Sequence, residues 1–210
     1  QLNQVIQIIE NDRIVGGINP ESTVEAAQFY RTFVRGAVIE TQSKTAELAK
    51  LTENSFRDTN IAFANELSLI CAELDIDVWD LIKLANRHPR VNILQPGPGV
   101  GGHCLAVDPW FIVSASPKTA NLIRQAREIN EYKPQWVVEK IESYAQKFKA
   151  PTIGCLGLAY KPNIDDLRES PALDIVHKLY KKLPEAKIIA CEPHVQEVDG
   201  IELCSLEHVL

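Results

Sequence analysis

The chain reads as an α/β protein whose two ends carry pieces of parallel sheet and whose middle is entirely helical. Three observations predict this. Near the start, the strand-like runs RIVGG and AVIET flank a helical stretch, a βαβ pattern. From about Thr45, some thirty residues carry no Gly or Pro and favour helix. Beyond position 150, PTIGCLGLAY and AKIIACEP bracket the helix PALDIVHKLYKKL, which is half of a doubly wound sheet. With 210 residues and 45% hydrophobic content, the chain has enough material for a real core.

Taken in order, VIQIIEN ends a first helix and RIVGG is a strand closed by glycines. NPEST offers Ser22 or Thr23 as the cap of a helix reaching about Val34, and AVIET comes next as a strand. On the long helix, Leu48, Leu51, Phe56, Ile61, Phe63, Leu67 and Ile70 cover more than one side. Such a helix needs neighbours, either a second subunit or the rest of its own chain. Asp77 caps VWDLIKLAN, which stops before HPRV. After Trp110-Phe111-Ile112 come two helical segments, TANLIRQAREINEY and PQWVVEKIESYAQKF, separated or kinked at Pro134. Ser170 and Pro171 make an N-cap and first-position pair for the helix after PTIGCLGLAY. QLNQVIQIIE lacks an initiator Met and reads as mid-domain sequence, and the last sheet reads as cut short at LEHVL. The predicted boundaries are 1–42, 43–132 and 133–210.

A formal net charge of −6 argues against a broad nucleic-acid face, and KLYKK reads as the solvated side of a helix. No apolar run is long enough to cross a bilayer, and nothing resembles a signal peptide, so neither nucleic acid nor membrane is an expected partner. The five cysteines are scattered, with no CxxC pair and no zinc-finger spacing, which fits a reducing cytoplasm and no metal. A metal at His88, His103 and Cys104 matches no common zinc spacing either. Cys71, Cys155, Cys191 and Cys204 are expected to be small buried hydrophobes.

Cys104 stands apart, inside QPGPGVGGHCLAVD at 95–108. Gly97, Gly99 and Gly102 spell G-x-G-x-x-G, but a dinucleotide turn needs a strand before it and a helix directly after. Here Pro96 and Pro98 stiffen the turn and Pro109 soon ends any helix, so that context fails. Glycines also let a backbone pass close to a ligand and aim N–H groups at it. If HCLAVD makes one helical turn, Cys104 and Asp108 share a face, and a helix N-terminus favours the thiolate. Two readings of Cys104 stay open: a nucleophile beside oxyanion donors and a carboxylate, or a buried Cys in a glycine-rich connection. A thiol hydrolase using His103 and Cys104 is disfavoured, because adjacent side chains rarely face each other. On the long helix, Lys50, Asn54, Asp58 and Asn65 form a polar stripe flanked by Glu47 and Arg57. Alone, it reads as a solvated face or an ion-pair ladder; beside Cys104 and Asp108, its lysine would be placed for proton transfer.

AELAKLTENSFRDTNIAFANELS, NRHPRVNILQPGPGVGGHCLAVDPWFIV and LGLAYKPNIDDLRESPALDI together resemble the UDP-glucose/GDP-mannose dehydrogenase family over essentially the whole chain. GVGGHCLAVDPWF with NRHPRVN upstream resembles the branch acting on UDP-N-acetyl-D-mannosamine. The UDP-glucose branch typically has Phe, Ser and Lys where this chain has Val100, His103 and Val107. The resemblance implies a remnant of a Rossmann domain, a long-helix all-α central dimerisation domain and a partial Rossmann-like UDP-binding domain. It implies a four-electron oxidation of a sugar C6 alcohol to a carboxylate with two NAD+, for surface polysaccharide synthesis. Cys104 resembles the nucleophile that carries the thiohemiacetal and thioester, and Lys50 the proton-transfer lysine. By the same likeness Asn54 positions water and Asp108 assists thioester hydrolysis. Arg57, His88, Arg90, Gln95, Gly97, Gly99, Gly101, Tyr160 and Lys161 are implied to bind the UDP-sugar, with Arg90 reaching in from a partner subunit. Arg168 of the RES motif is implied to reach NAD, and as a cation at a helix N-terminus it opposes the dipole, which favours a ligand role. The family's glycine-fingerprint domain is not among these residues, so the chain reads as a fragment not expected to turn over NAD alone. The alternative from another class is a non-catalytic dimerisation and nucleotide-sugar-binding module.

Overall fold

The computed structural model describes residues 2–210, with side chains from Ile6 onward, and falls into two units, Gln1–Glu53 and Asn54–Leu210. In the first unit, α1 (Leu2–Glu10) leads into β1 (Arg13–Gly17), α2 (Pro20–Arg31) and β2 (Val38–Gln42). The strands pair in parallel with Arg13 opposite Val38 and Gly17 opposite Gln42, the predicted βαβ pattern. The glycine at 17 has a packing reason, since a Cβ there would lie 2.5 Å from the Thr23 amide nitrogen. The cap of α2 is Asn19, not Ser22 or Thr23: its side chain accepts from the Ser22 amide at 2.8 Å, and Pro20 begins the helix. Proline fits the first turn because its missing donor has no partner there. The Thr23 hydroxyl instead accepts from Gly17 N at 2.9 Å, locking helix to strand. The helix stops at Arg31, short of Val34.

α3 (Ser43–Leu74) is the long helix, at 32 residues. Asp75 ends it in the left-handed region at φ 56°, and Ile76 N closes back onto Cys71 O at 2.9 Å. α4 (Val78–Ala85) starts on Asp77, whose carboxylate accepts from Trp79 N at 2.8 Å, as predicted. α5 (Asp108–Ala115) corrects the reading of Pro109, which starts this helix rather than ending one.

α6 (Asn121–Ala145) rules out a separation at Pro134: TANLIRQAREINEY and PQWVVEKIESYAQKF are one helix running through it. A proline inside a helix removes the hydrogen bond to the carbonyl four residues back, here that of Asn130. Gly99 packs against that carbonyl, a Cβ on it falling 3.2 Å from Asn130 O. β3 (Thr152–Leu156) and β4 (Lys187–Cys191) then pair in parallel around α7 (Pro171–Lys182), with α8 (Leu206–Val209) after them. Ser170 caps α7 with Pro171 at its start, as predicted, and its hydroxyl donates to Leu158 O at 2.5 Å. The main core lies here, where Val138 of α6, Leu158, Ile175, Val176 and Leu179 of α7 and Ile188 and Ala190 of β4 meet. The KLYKK lysines are surface groups: Lys178 pairs with Asp174 at 2.6 Å and Lys182 with Glu142 at 3.3 Å. Two of the four cysteines expected inside are buried, Cys71 and Cys191, while Cys155 and Cys204 are only half-buried. No described helix is long and apolar enough to cross a membrane.

Candidate active site

Residues 91–102 form neither a strand nor a helix, so the glycine string lacks the frame of a dinucleotide turn. The chain then makes one helical turn: Val107 N and Asp108 N both donate to the Cys104 carbonyl, at 3.0 and 2.8 Å. Cys104 is exposed at the start of this turn and Asp108, its fourth successor, is the first residue of α5. A four-residue helical step puts both side chains on one face. The alternative of a buried Cys104 is thereby excluded. Across from the turn, Asn54 Nδ2 of α3 donates to Asp108 Oδ2 at 2.5 Å, fixing the carboxylate.

The loop glycines make room chiefly for the protein's own chain. At Gly101 a Cβ would sit 2.5 Å from Glu169 O and 2.6 Å from Tyr160 Cβ. Gly102, at φ 82°, lies under the Tyr160 ring, and Gly99, at φ 145°, against Pro171 and Pro134. Gly97 is not crowded in this way, a Cβ there meeting only Gly99 O at 4.0 Å. These approaches press the loop onto α6, the start of α7 and Tyr160, so Tyr160 and the Cys104 loop, distant in sequence, come together. Lys161 Nζ rides 5.4 Å from the Tyr160 ring centroid. A cleft of about 370 Å³ opens beside the loop, between Val100, Ala106 and Val107 on one side and Glu169, Ser170 and Pro171 on the other.

The polar stripe of α3 splits into three. Lys50 is exposed and pairs with Glu53 at 3.1 Å. Asn54 serves Asp108. Asp58 and Asn65 are fully buried, which overturns the solvated-face reading for them. Asp58 Oδ1 accepts from Arg127 at 2.7 Å and from Asn130 at 2.9 Å; burial pushes its carboxyl up, against the pull of Arg127. Asn65 donates to Asn130 Oδ1 at 2.9 Å and accepts the Gly97 amide at 2.8 Å. Its own backbone carbonyl accepts from the Ser68 hydroxyl, which in turn accepts from buried Lys133 at 2.5 Å. Desolvation pushes the Lys133 amine down to about 8. Sequence reasoning missed Arg127, Asn130 and Lys133 as loop supports. Their only signal is an unusual density of polar groups on the inward side of a helix that also carries Pro134.

Glu192, also missed, is buried at the end of β4 and accepts from the amides of Leu158 and Ala159 at 2.8 and 3.0 Å and of His194 at 3.2 Å. Burial opposes its ionisation, but these three amides prevail and hold its carboxyl below the usual range. It thereby fixes the backbone leading into Tyr160. Arg168 is exposed and grips Asp166 through two nitrogens at 2.9 and 2.7 Å. Those bonds, aided by the charge of His103, hold the Asp166 carboxyl well below the carboxylate range.

The remaining predicted residues lie outside this cluster. His88 and Arg90 occupy the exposed turn after α4, where Arg90 N donates to His88 Nδ1 at 3.3 Å. Among the described residues, neither they nor Arg57 and Gln95, both exposed, hydrogen-bonds to the Cys104 turn.

Comparison with known proteins places this geometry. Residues 44–132 match the UDP-glucose/GDP-mannose dehydrogenase family central domain, and residues 154–208 match that family's UDP binding domain. A UDP-N-acetyl-D-mannosamine dehydrogenase of Campylobacter jejuni is 59% identical over 196 residues, 93% of this chain and 48% of the relative. An NDP-N-acetyl-D-galactosaminuronic acid dehydrogenase of Ralstonia solanacearum is 54% identical over 208 residues, 97% of this chain and 49% of the relative. The solved UDP-N-acetyl-mannosamine dehydrogenase of S. aureus superposes with a TM-score of 0.85 at 47% identity, covering 98% of this chain and 48% of that one. The chain thus spans about half the length of the relatives it matches. It belongs to the UDP-glucose/GDP-mannose dehydrogenase family.

Proposed function

We propose that this chain carries the sugar-handling part of an NAD-dependent UDP-N-acetyl-D-mannosamine 6-dehydrogenase. The observation that supports it most is the exposed Cys104 one helical turn before Asp108, whose carboxylate Asn54 holds from α3. The family likeness adds the substrate class. Residues 1–42 end the NAD-binding domain in this proposal, 43–132 form the central domain, and 133–210 carry the connecting helix and the UDP-sugar-binding part.

The first oxidation removes a hydride and a proton from the C6 alcohol and leaves an aldehyde. The Cys104 thiolate adds to that carbon and the oxygen takes a proton, giving a thiohemiacetal. Loss of a second hydride and a proton leaves a thioester on Cys104. Water then adds, Asp108 takes one of its protons, and the thiolate leaves; the C6 acid released gives its remaining proton to solvent and becomes the carboxylate. Lys50 is assigned the alcohol-side proton transfer and Asn54 the orientation of Asp108 and the water. NAD+, when bound, accepts one hydride in each oxidation. Arg168 suits a cofactor phosphate, because Asp166 holds its guanidinium while leaving it two-thirds exposed. Tyr160, Lys161, Arg57, His88, Gln95 and the loop glycines at 97, 99 and 101 are assigned to the UDP-sugar, with Arg90 supplied by a partner subunit.

A homodimer through α3 is part of the proposal, supported by exposed Phe56, Phe63, Ile70 and Leu74, three of them seven residues apart on one helix. The product acid would serve surface polysaccharide synthesis in the cytoplasm.

In the full-length protein, UDP-N-acetylmannosamine should yield two NADH per sugar, and Cys104→Ala should abolish acid formation. Full acid formation by that variant overturns the mechanism. Calorimetry on this chain with the UDP-sugar and with NAD+ separately tests the other class. UDP-sugar binding, together with no sugar oxidation in the full-length protein, makes it a nucleotide-sugar-binding module instead.

A further inference from the structure

Among the described residues, one group of metal-ligating side chains lies clear of the Cys104 turn and its supports. Glu202, Cys204 and His208 bring a carboxylate oxygen, a thiol sulfur and an imidazole nitrogen within 4.8 Å of one another. We propose that these three side chains form a zinc site that clips α8 to the second sheet.

The backbone sets the trio up. Ala190 on β4 donates to Glu202 O at 3.0 Å and accepts from Cys204 N at 2.7 Å, so Leu203 pairs with the sheet and its two neighbours flank it. In extended chain, residues two apart project to the same face, which places Glu202 and Cys204 side by side. The Cys204 thiol lies 3.7 Å from Glu202 Oε1. Directly afterwards Ser205 stands at the N-cap position of α8, and His208 N bonds back to Ser205 O at 3.0 Å, bringing the imidazole to the pair. The sequence pattern is E-x-C-x-x-x-H. No Cys–Cys pair is involved, which is why cysteine spacing alone predicts no metal.

The donor set selects the ion. One sulfur, one imidazole nitrogen and one carboxylate suit zinc, whereas calcium and magnesium want oxygen alone. Tetrahedral zinc with bonds of 2.0–2.3 Å spaces its ligands about 3.3–3.8 Å apart. The trio therefore contracts by roughly an ångström from its widest separation, a shift that side-chain rotation supplies at exposed Glu202 and His208. Binding displaces the thiol proton to solvent and leaves a fourth position for water.

The test uses the 210-residue chain without a polyhistidine tag, reduced, and titrated with Co²⁺ and then Zn²⁺. One equivalent of Co²⁺ should give a thiolate-to-cobalt charge-transfer band with tetrahedral d–d absorption, and Zn²⁺ should bleach both. Cys204→Ser should abolish the band. His208→Gln and Glu202→Gln should each weaken Zn²⁺ by about a hundredfold or more, the upper end of what even outer-shell losses cost. Cys104→Ser should change neither. A missing band, a band that survives Cys204→Ser, or unchanged zinc affinity in both His208→Gln and Glu202→Gln overturns the site. None of these readouts depends on dehydrogenase activity, so the two proposals fail separately.

Discussion

Replacing Asn65 with leucine severs the one side-chain acceptor that holds the Gly97 amide. Leucine fits the volume and keeps the helix, but two partners lose their bonds. Gly97 N, half-buried, loses its 2.8 Å acceptor, and Asn130 Oδ1, buried, loses its 2.9 Å donor. Each group left unsatisfied away from water costs about 1–3 kcal/mol, and the half-buried amide belongs at the low end, so the loss is about 2–4 kcal/mol. Trp79, Trp110 and Trp136 all lie within Asn54–Leu210, so tryptophan fluorescence during urea unfolding reports this unit. Hydrogen exchange gives the local half of the test: Gly97 should lose protection in the variant while amides in the middle of α6 fall only with global stability. A change under about 0.5 kcal/mol, the range of an ordinary surface substitution, would refute the buried polar chain as the loop's support. Unaltered Gly97 exchange would refute it equally.

Two further predictions concern pH. Glu192 has a carboxyl held low in the folded state, so the unfolded chain binds its proton first as pH falls. Its contribution is fully present above the unfolded value near 4.3 and is lost as pH drops through the folded one, and Glu192→Gln should flatten that acid limb in urea midpoints. Lys133 behaves in the opposite range. Its folded value is about 8 against about 10.4 unfolded, so between these the unfolded state holds more protons and stability rises with pH. Lys133→Met should remove that rise, and an unchanged slope across the interval would contradict the burial of this amine.

Particular residues show how far the sequence reaches. Asp77, Ser170 and Pro171 announce their helix ends because capping is settled within four residues. Asn19 is not separable from Ser22 and Thr23 by residue type, since all three are cap formers and only the packing of Gly17 on Thr23 distinguishes them. Pro134 misleads for a related reason. A helix breaker by local rule, it sits inside α6, and the carbonyl it leaves free packs beside Gly99 on a loop some thirty residues upstream.

The same division holds at the site. Cys104 and Asp108 are four apart in sequence, so their shared face comes from helical geometry alone, and the family motifs around them are contiguous strings. The α/β class with its long central helix, the family and the Cys104 turn are all legible in the chain's own letters, because periodicity, capping and short motifs are local. Only the folded molecule distinguishes the polar residues of α3 that face water from those buried against Arg127 and Asn130, 69 and 72 residues on from Asp58. Folding also gives the loop glycines their service to Tyr160 and Pro171, and pairs Leu203 with Ala190 of β4, which sets the faces of Glu202 and Cys204. Burial and close approach depend on partners distant in the chain, and a helical period describes a face without saying what it meets.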